Sequence, residues 1–143
     1  MAGRIGGPKT RNGGDWTEAR FRSFIRSQLR AATMRWGPIS NCLRDARVER
    51  GVYLCAGCKE EVPATIKVGR KRVKNAHVDH ILPIVDPDTG FVSYDMLIER
   101  MFCEADNLQV LCNECHTTKT NDEKARAKAR RARDKGNDID DDV

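Results

Sequence analysis

The sequence predicts a small α+β fold stapled by a metal ion, and three observations carry that expectation. Two Cys-x-x-Cys pairs, Cys55-Ala-Gly-Cys58 and Cys112-Asn-Glu-Cys115, stand far apart in the chain. Short strand-like runs lead into each pair and lie between them, while helical periodicity marks the N-terminal part and a run of strong helix formers the C-terminal one. The chain has 143 residues, of which 39% are hydrophobic, 6% aromatic and 33% charged. That length suits one domain with appendages, and so thin a core needs a staple.

The expected organisation is a flexible basic arm at 1–14, a basic helical leader at 15–50, a central domain at 51–123 and a basic tail with an acidic end at 124–143. Glycines, Pro8 and scattered positive charge without periodicity define the arm. Asp15-Trp16-Thr17-Glu18 has capping-box spacing and should open a helix. Phe21, Ile25, Leu29, Ala32 and Trp36 then recur at helical spacing, with Phe24 adjacent. Arg22, Arg26 and Arg30 form a second stripe at i,i+4 intervals. Like charges so placed are mildly unfavourable unless a partner neutralises them, so the stripe is either a polyanion contact or a solvated face.

Gly37-Pro38 breaks that helix, and a second should turn Ile39, Cys42, Leu43 and Ala46 inward and Arg44, Arg47 and Arg50 outward before Gly51 stops it. Val52-Tyr53-Leu54 reads as a strand entering the first cysteine pair. Val62, Ile66, Val68 and Val73 alternate with charged residues around Gly69-Arg70 and predict a hairpin. Val78 and Ile81 continue a strand, and Asp86-Pro87-Asp88-Thr89-Gly90 is turn chemistry, which makes Asp86 and Asp88 turn formers and not metal ligands. Ser93 should cap a short helix carrying Met96, Leu97, Ile98 and Met101. Leu108–Leu111 reads as a strand, and a last helix should run from near Cys112 to about Lys135. Beyond Lys124 that helix has strong helix formers but no apolar stripe, so the prediction there is a segment with nothing to pack on.

The net charge of +5 conceals clustering: arginines crowd 20–50, lysines and arginines crowd 119–135, and four aspartates sit at 138–142. Clustered cations favour a polyanion, nucleic acid above all, with solubility as the bland alternative. No segment is long and apolar enough to span a bilayer, and no signal-peptide core is present, so the expectation is a cytoplasmic protein without a membrane partner. Thiols stay reduced there, which favours zinc on Cys55, Cys58, Cys112 and Cys115 over disulfides or idle thiols. Cys42 and Cys103 lie outside the pairs and read as small buried hydrophobes.

All three histidines sit beside the chemistry-bearing runs: His77-Val78-Asp79-His80 and Cys115-His116. Hydrolysis of a phosphodiester requires an activated water, a proton acceptor and a cation for the developing charge. Asp79 and His116 can offer one carboxylate oxygen and one imidazole nitrogen to a divalent ion that keeps several waters. A neutral histidine can take the proton. Lys119, one turn beyond His116, is either a phosphate contact or a surface lysine.

The runs His77-Val-Asp79-His80-Ile-Leu-Pro83 and Asn107-Leu-Gln-Val-Leu-Cys112-Asn-Glu-Cys115-His116-Thr-Thr-Lys119-Thr120 resemble the HNH endonuclease family with flanking zinc knuckles. Ile98-Glu-Arg-Met-Phe-Cys103 and the Arg-rich leader resemble the small HNH proteins of tailed bacteriophages, which would place the chain in host cytoplasm. The resemblance covers about residues 50–122 strongly and the leader weakly. It implies a ββα-metal catalytic core that cleaves DNA, a structural Zn2+ on the four cysteines, and Mg2+, Mn2+ or another divalent ion on Asp79 and His116. It further implies His80 as general base and Asn107 as the residue that steadies the inter-strand loop, with 5′ phosphate and 3′ hydroxyl ends left. His77 stays an accessory residue, a third ligand or a phosphate contact. Lys119, Lys124, Arg126, Lys128 and Arg130, with the leader stripe, are the expected DNA contacts. The competing readings are a zinc-knuckle DNA binder that does not cut and, more distantly, a nuclease acting on RNA. Monomer and dimer are both open.

One geometric tension follows from strand pleating. His77 and Asp79 should share a face while His80 points away, unless the strand bends or ends near Pro83.

Overall fold

The computed structural model of the chain describes the main chain of residues 6–140 and the side chains of residues 6–135. The first five residues of the basic arm and the aspartate side chains at 138–142 lie outside the described residues. The chain is α+β and divides into two compact units between Arg35 and Trp36, a break that falls inside the 15–50 leader of the sequence reading.

In the first unit, β1 (Lys9–Arg11) pairs antiparallel with β2 (Trp16–Thr17) across a 3-10 turn at Asn12–Gly14. The turn needs three consecutive positive φ angles, 52° at Asn12, 66° at Gly13 and 88° at Gly14, which Asn and Gly tolerate. Residues 9–14 of the expected arm thus carry a strand and a turn. Helix α1 (Glu18–Ala32) is capped by Thr17, whose Oγ1 accepts the Arg20 amide at 3.2 Å, and not by Asp15. Pairing to β1 holds Trp16 and Thr17 extended, so no helix can start earlier. Phe21, Ile25 and Leu29 are half-buried and Phe24 is exposed; no residue of α1 is buried. Trp36, expected on this helix, belongs to the second unit, where its Nε1 donates to the Cys103 carbonyl at 2.7 Å.

The second unit opens with α2 (Gly37–Ala46), carrying Pro38 in its first turn. Ile39, Cys42, Leu43 and Ala46 are half-buried and Arg44 is exposed. The helix stops at Ala46, earlier than Gly51, because Arg47–Glu49 forms β3 and pairs with β4 (Val52–Leu54) across a turn whose Gly51 has φ 76°. Strand β5 (Glu61–Pro63) adds to the other edge of β4. The expected hairpin follows as β6 (Thr65–Val68) and β7 (Lys71–Lys74), turning at Gly69, φ 62°.

Strand β8 (Ala76–His80) pairs antiparallel with β9 (Leu108–Cys112), setting Asp79 opposite Gln109 and His80 opposite Leu108. Helix α3 (Tyr94–Met101) lies between them in sequence, capped by Ser93 Oγ on the Met96 amide at 3.2 Å. The last helix, α4 (Asn113–Asp140), starts directly after β9. The buried core is small: Cys55, Ala76, Leu97, Met101, Leu108, Val110, Leu111 and Cys112, with Asn75 the buried polar residue. Two of those eight are cysteines of the expected metal site, so part of the core depends on what those thiols hold. Among the described residues no helix is long and apolar enough to cross a membrane.

Candidate metal centre and the histidine-aspartate cluster

Strand pairing assembles the cysteine cluster. The Ala56 amide donates to the Val110 carbonyl at 2.8 Å and the Cys112 amide to Cys55 Sγ at 3.3 Å, so the first pair sits on β9 and the opening of α4. Lys59 closes the first turn with φ 64° and its amide on the Cys55 carbonyl at 2.9 Å. The four sulfurs of Cys55, Cys58, Cys112 and Cys115 lie within 4.8 Å of one another, and all are free thiols. A Zn–S bond of about 2.3 Å implies sulfur separations near 3.8 Å in a tetrahedron, so this donor set fits zinc after slight contraction. Burial opposes ionisation of Cys55, yet amides of Cys112, Cys58 and Gly57 directed at its sulfur bring the thiol down to about 6. The neighbouring Cys115 thiol is pushed up to about 12, first by its bond with Cys112 and then by burial. Four thiols at this spacing cannot all ionise without a cation. Cys42 and Cys103 are half-buried, not fully buried, and burial raises both thiols.

Gly57 leaves room for the cluster. A Cβ there would stand 2.9 Å from Cys115 Sγ and 3.2 Å from Leu111 Cδ2. Gly57→Ala is expected to weaken zinc binding about tenfold or more in a chelator competition, since it pushes on a ligand. An unchanged affinity would show that Cys115 has slack.

The second cluster lies where β8 faces α4. His116, Lys119 and Glu123 follow at i,i+3 and i,i+4 spacing on that helix; His116 and Lys119 meet Asp79 on the strand, and Glu123 pairs with Lys119. Asp79 Oδ1 is 4.0 Å from His116 Nε2, while Oδ2 accepts from Gln109 Nε2 at 3.0 Å and lies 3.1 Å from Lys119 Nζ. Ligand bonds of about 2.1 Å at a right angle put two donors about 3.0 Å apart, so Asp79 Oδ1 and His116 Nε2 can share an octahedral ion once they close by about 1 Å. Among the described residues, the four cysteines are the one cluster of three or more metal-type side chains; Asp79 and His116 are a pair. Asp79 is mostly covered, with 12% of its side chain exposed, whereas His116 keeps 38% and can meet a ligand from solvent. The His77 ring stacks on His116 at 4.9 Å between centroids, and its Nε2 donates to Asn113 Oδ1. Burial works against the Lys119 charge, but Glu123 and Asp79 outweigh it and hold the ammonium above its usual range. A cleft of about 950 Å³ reaches Gln109, Asn113 and Lys119 from the cysteine side, and one of about 240 Å³ reaches Lys119 from the Ile81–Pro83 side.

His80 faces away from this cluster, as pleating requires. Its Nε2 lies 2.9 Å from the Met101 carbonyl at the end of α3. A carbonyl only accepts, so Nε2 carries hydrogen and Nδ1 of the neutral ring is the free base. Asn107 bridges the segment after β8: Oδ1 accepts the Leu82 amide at 2.8 Å and Nδ2 donates to the Leu82 carbonyl at 3.2 Å. The Ile81 amide also donates to the Asn107 carbonyl at 2.9 Å, which ends the strand and turns the chain beyond His80.

The basic residues divide. Arg22 lies 4.0 Å from Glu18, and Arg26 is half-buried while Arg30 is exposed. Lys124 and Lys128 are exposed. The stretch of α4 expected to have nothing to pack on does pack: Arg126 grips the Asp88 carboxylate, Nε donating at 3.1 Å, and Arg133 reaches the Asp88 carbonyl at 3.3 Å. Arg130 passes so close to Gly90 that a Cβ there would meet its guanidinium at 2.6 Å. Asp88 and Asp86 do form a turn, with the Asp88 amide on Asp86 Oδ1 at 2.8 Å. Asp88 serves in addition as the anchor for Arg126, whose guanidinium draws the carboxyl below its usual range.

Gln109 and Asn113 escaped the sequence reading. Only the strand register sets Gln109 against Asp79, and a guess that Asp79 and Gln109 pair would have exposed it. No family model, curated protein or solved structure matches the chain.

Proposed function

We propose that the chain is a metal-dependent endonuclease of the HNH kind, hydrolysing DNA phosphodiester bonds from a ββα core made of β8, β9 and the start of α4. The observation that carries this reading is the 4.0 Å approach of Asp79 Oδ1 to His116 Nε2 on a strand whose next residue is His80. Zinc on the four cysteines is architectural: it fixes the first turn of α4, and hence His116, against β8.

Asp79 Oδ1 and His116 Nε2 would hold a divalent cation such as Mg2+ or Mn2+, which would supply positive charge to the phosphoryl oxygens and the departing oxygen. His80 is the general base. Its Nε2–H is committed to the Met101 carbonyl, so Nδ1 takes the proton from the attacking water. The same bond orients the ring and stabilises the imidazolium that forms. Asn107 holds Ile81 and Leu82 and ends the strand directly after His80, so the reaction requires a phosphate seated across that end of β8, with Asp79 on one face and His80 on the other. His77 braces the His116 ring by stacking, and Asn113 Oδ1 holds His77 by its Nε2. The ends left are a 5′ phosphate and a 3′ hydroxyl.

DNA is the partner that the exposed lysines of α4 favour. Lys124→Ala with Lys128→Ala is expected to reduce the slope of log affinity against log salt by about two, because each backbone contact contributes about one. An unchanged slope would remove α4 from the DNA surface. The test of the reaction is an end-labelled duplex incubated with zinc-loaded protein and Mg2+ or Mn2+. Fragments with phosphorylated 5′ ends support the reading, whereas a duplex that is retarded in a gel but never cut makes the protein a binding module.

A further inference from the structure

We infer that Lys119 positions the Asp79 carboxylate and does not contact the DNA backbone, an assignment that rests on the nuclease reading of the same site. An ammonium has three N–H donors, and Lys119 Nζ has three acceptors: Asp79 Oδ2 at 3.1 Å, the His80 carbonyl at 2.9 Å, and Glu123 Oε1. Nothing remains for a phosphate, and only 24% of the side chain is exposed. The charge is answered locally too, since Glu123 on the next turn of α4 and Asp79 on β8 flank it.

What Lys119 does to Asp79 follows from which oxygen it holds. Oδ2 accepts from Gln109 at 3.0 Å and is ion-paired with the Lys119 ammonium at 3.1 Å, so both groups hold the same oxygen. The other oxygen, Oδ1, faces His116 Nε2. Asp79 thus presents one oxygen in one direction and cannot rotate to offer the pair. Through its bond to the His80 carbonyl, Lys119 also fixes the peptide that follows His80, so one ammonium sets the carboxylate and the backbone of the general base together. Gln109, placed opposite Asp79 by the strand register, is the second half of the device.

Lysine suits this role and arginine does not. Three acceptors arranged around a compact tetrahedral ammonium cannot be met by a planar fork, whereas a phosphate accepts either side chain. Two measurements on the zinc-loaded, full-length protein separate the possibilities. In kinetics, Lys119→Met should lower kcat about 10²-fold while KM and the salt slope of DNA binding stay unchanged, and Lys119→Arg should not restore kcat. Recovery in Lys119→Arg, or a rise in KM with a salt slope smaller by about one, would make Lys119 a phosphate contact and overturn the assignment.

The second measurement needs no catalysis. Unfolding constants of Lys119→Met, Asp79→Asn and the double variant, without added Mg2+ or Mn2+, form a cycle. The double variant should unfold at least about fivefold less readily than the product of the single effects predicts. Additivity would show that Lys119 does not hold Asp79. Coupling in a protein that never cuts DNA would leave the Lys119–Asp79 contact standing and dismiss the nuclease reading alone.

Discussion

Cys58→Ser is expected to unfold the second unit and to abolish stoichiometric zinc. Cys55 and Cys112 are two of eight apolar core residues, and Leu111 packs with them while Ala56, Val62 and Cys115 cover the same cluster. Among the described residues, the most fully buried large side chains apart from Cys55 are Leu97 and Met101, which sit on α3 and outside that cluster. Structural zinc contributes on the order of 10 kcal/mol in small domains, comparable to the whole stability of a typical one. Loss of a thiolate removes most of that and leaves three crowded thiols without a cation. Zinc content by atomic absorption and a circular-dichroism melt read the outcome, and chelation of the native protein should reproduce it. Acid should act the same way, since protons compete with zinc for the thiolates, so the metal is held at neutral pH and released as pH falls. A variant that melts within a degree or two of the native protein would show that the cysteines are not the staple.

His80→Ala is expected to reduce cleavage about 10²- to 10⁴-fold, the usual worth of a positioned general base, with zinc content and DNA affinity near normal. The side chain makes one hydrogen bond, to the Met101 carbonyl, and is only partly buried, so its removal costs about 1 kcal/mol of stability. The separation of activity from folding is the informative part. Cys58→Ser destroys both, whereas His80→Ala should destroy one. If His80→Ala cuts DNA at the native rate, the proton goes elsewhere and His80 is only a strut for the end of α3.

The α+β character and the cysteine cluster were legible because their signals are local: Cys-x-x-Cys spacing, the Gly69 turn between alternating runs, and Ser93 ahead of Met96. What was not legible depends on contacts between distant residues. Asp15 has capping-box spacing, but pairing of Trp16 and Thr17 with β1 moves the cap to Thr17. Arg126, Arg130 and Arg133 lack an apolar stripe, yet they find the turn at 86–90, where a carboxylate, a backbone carbonyl and a glycine receive them. Lys119 reads equally as a phosphate contact or a surface lysine until Asp79 and His80 are set beside it. Each of those outcomes rests on strand register or helix docking, which a single sequence encodes only weakly.

In the proposed reaction Asp79, His116 and His80 act on one phosphate. Its most direct test is supercoiled plasmid incubated with the zinc-loaded native protein and with Asp79→Asn, each with and without Mg2+ or Mn2+. The expected result is conversion to open-circular or linear DNA by the native protein, only when the divalent ion is present, and none by Asp79→Asn. Plasmid that stays supercoiled under every condition while its mobility shifts, or equal cutting by Asp79→Asn, would contradict it.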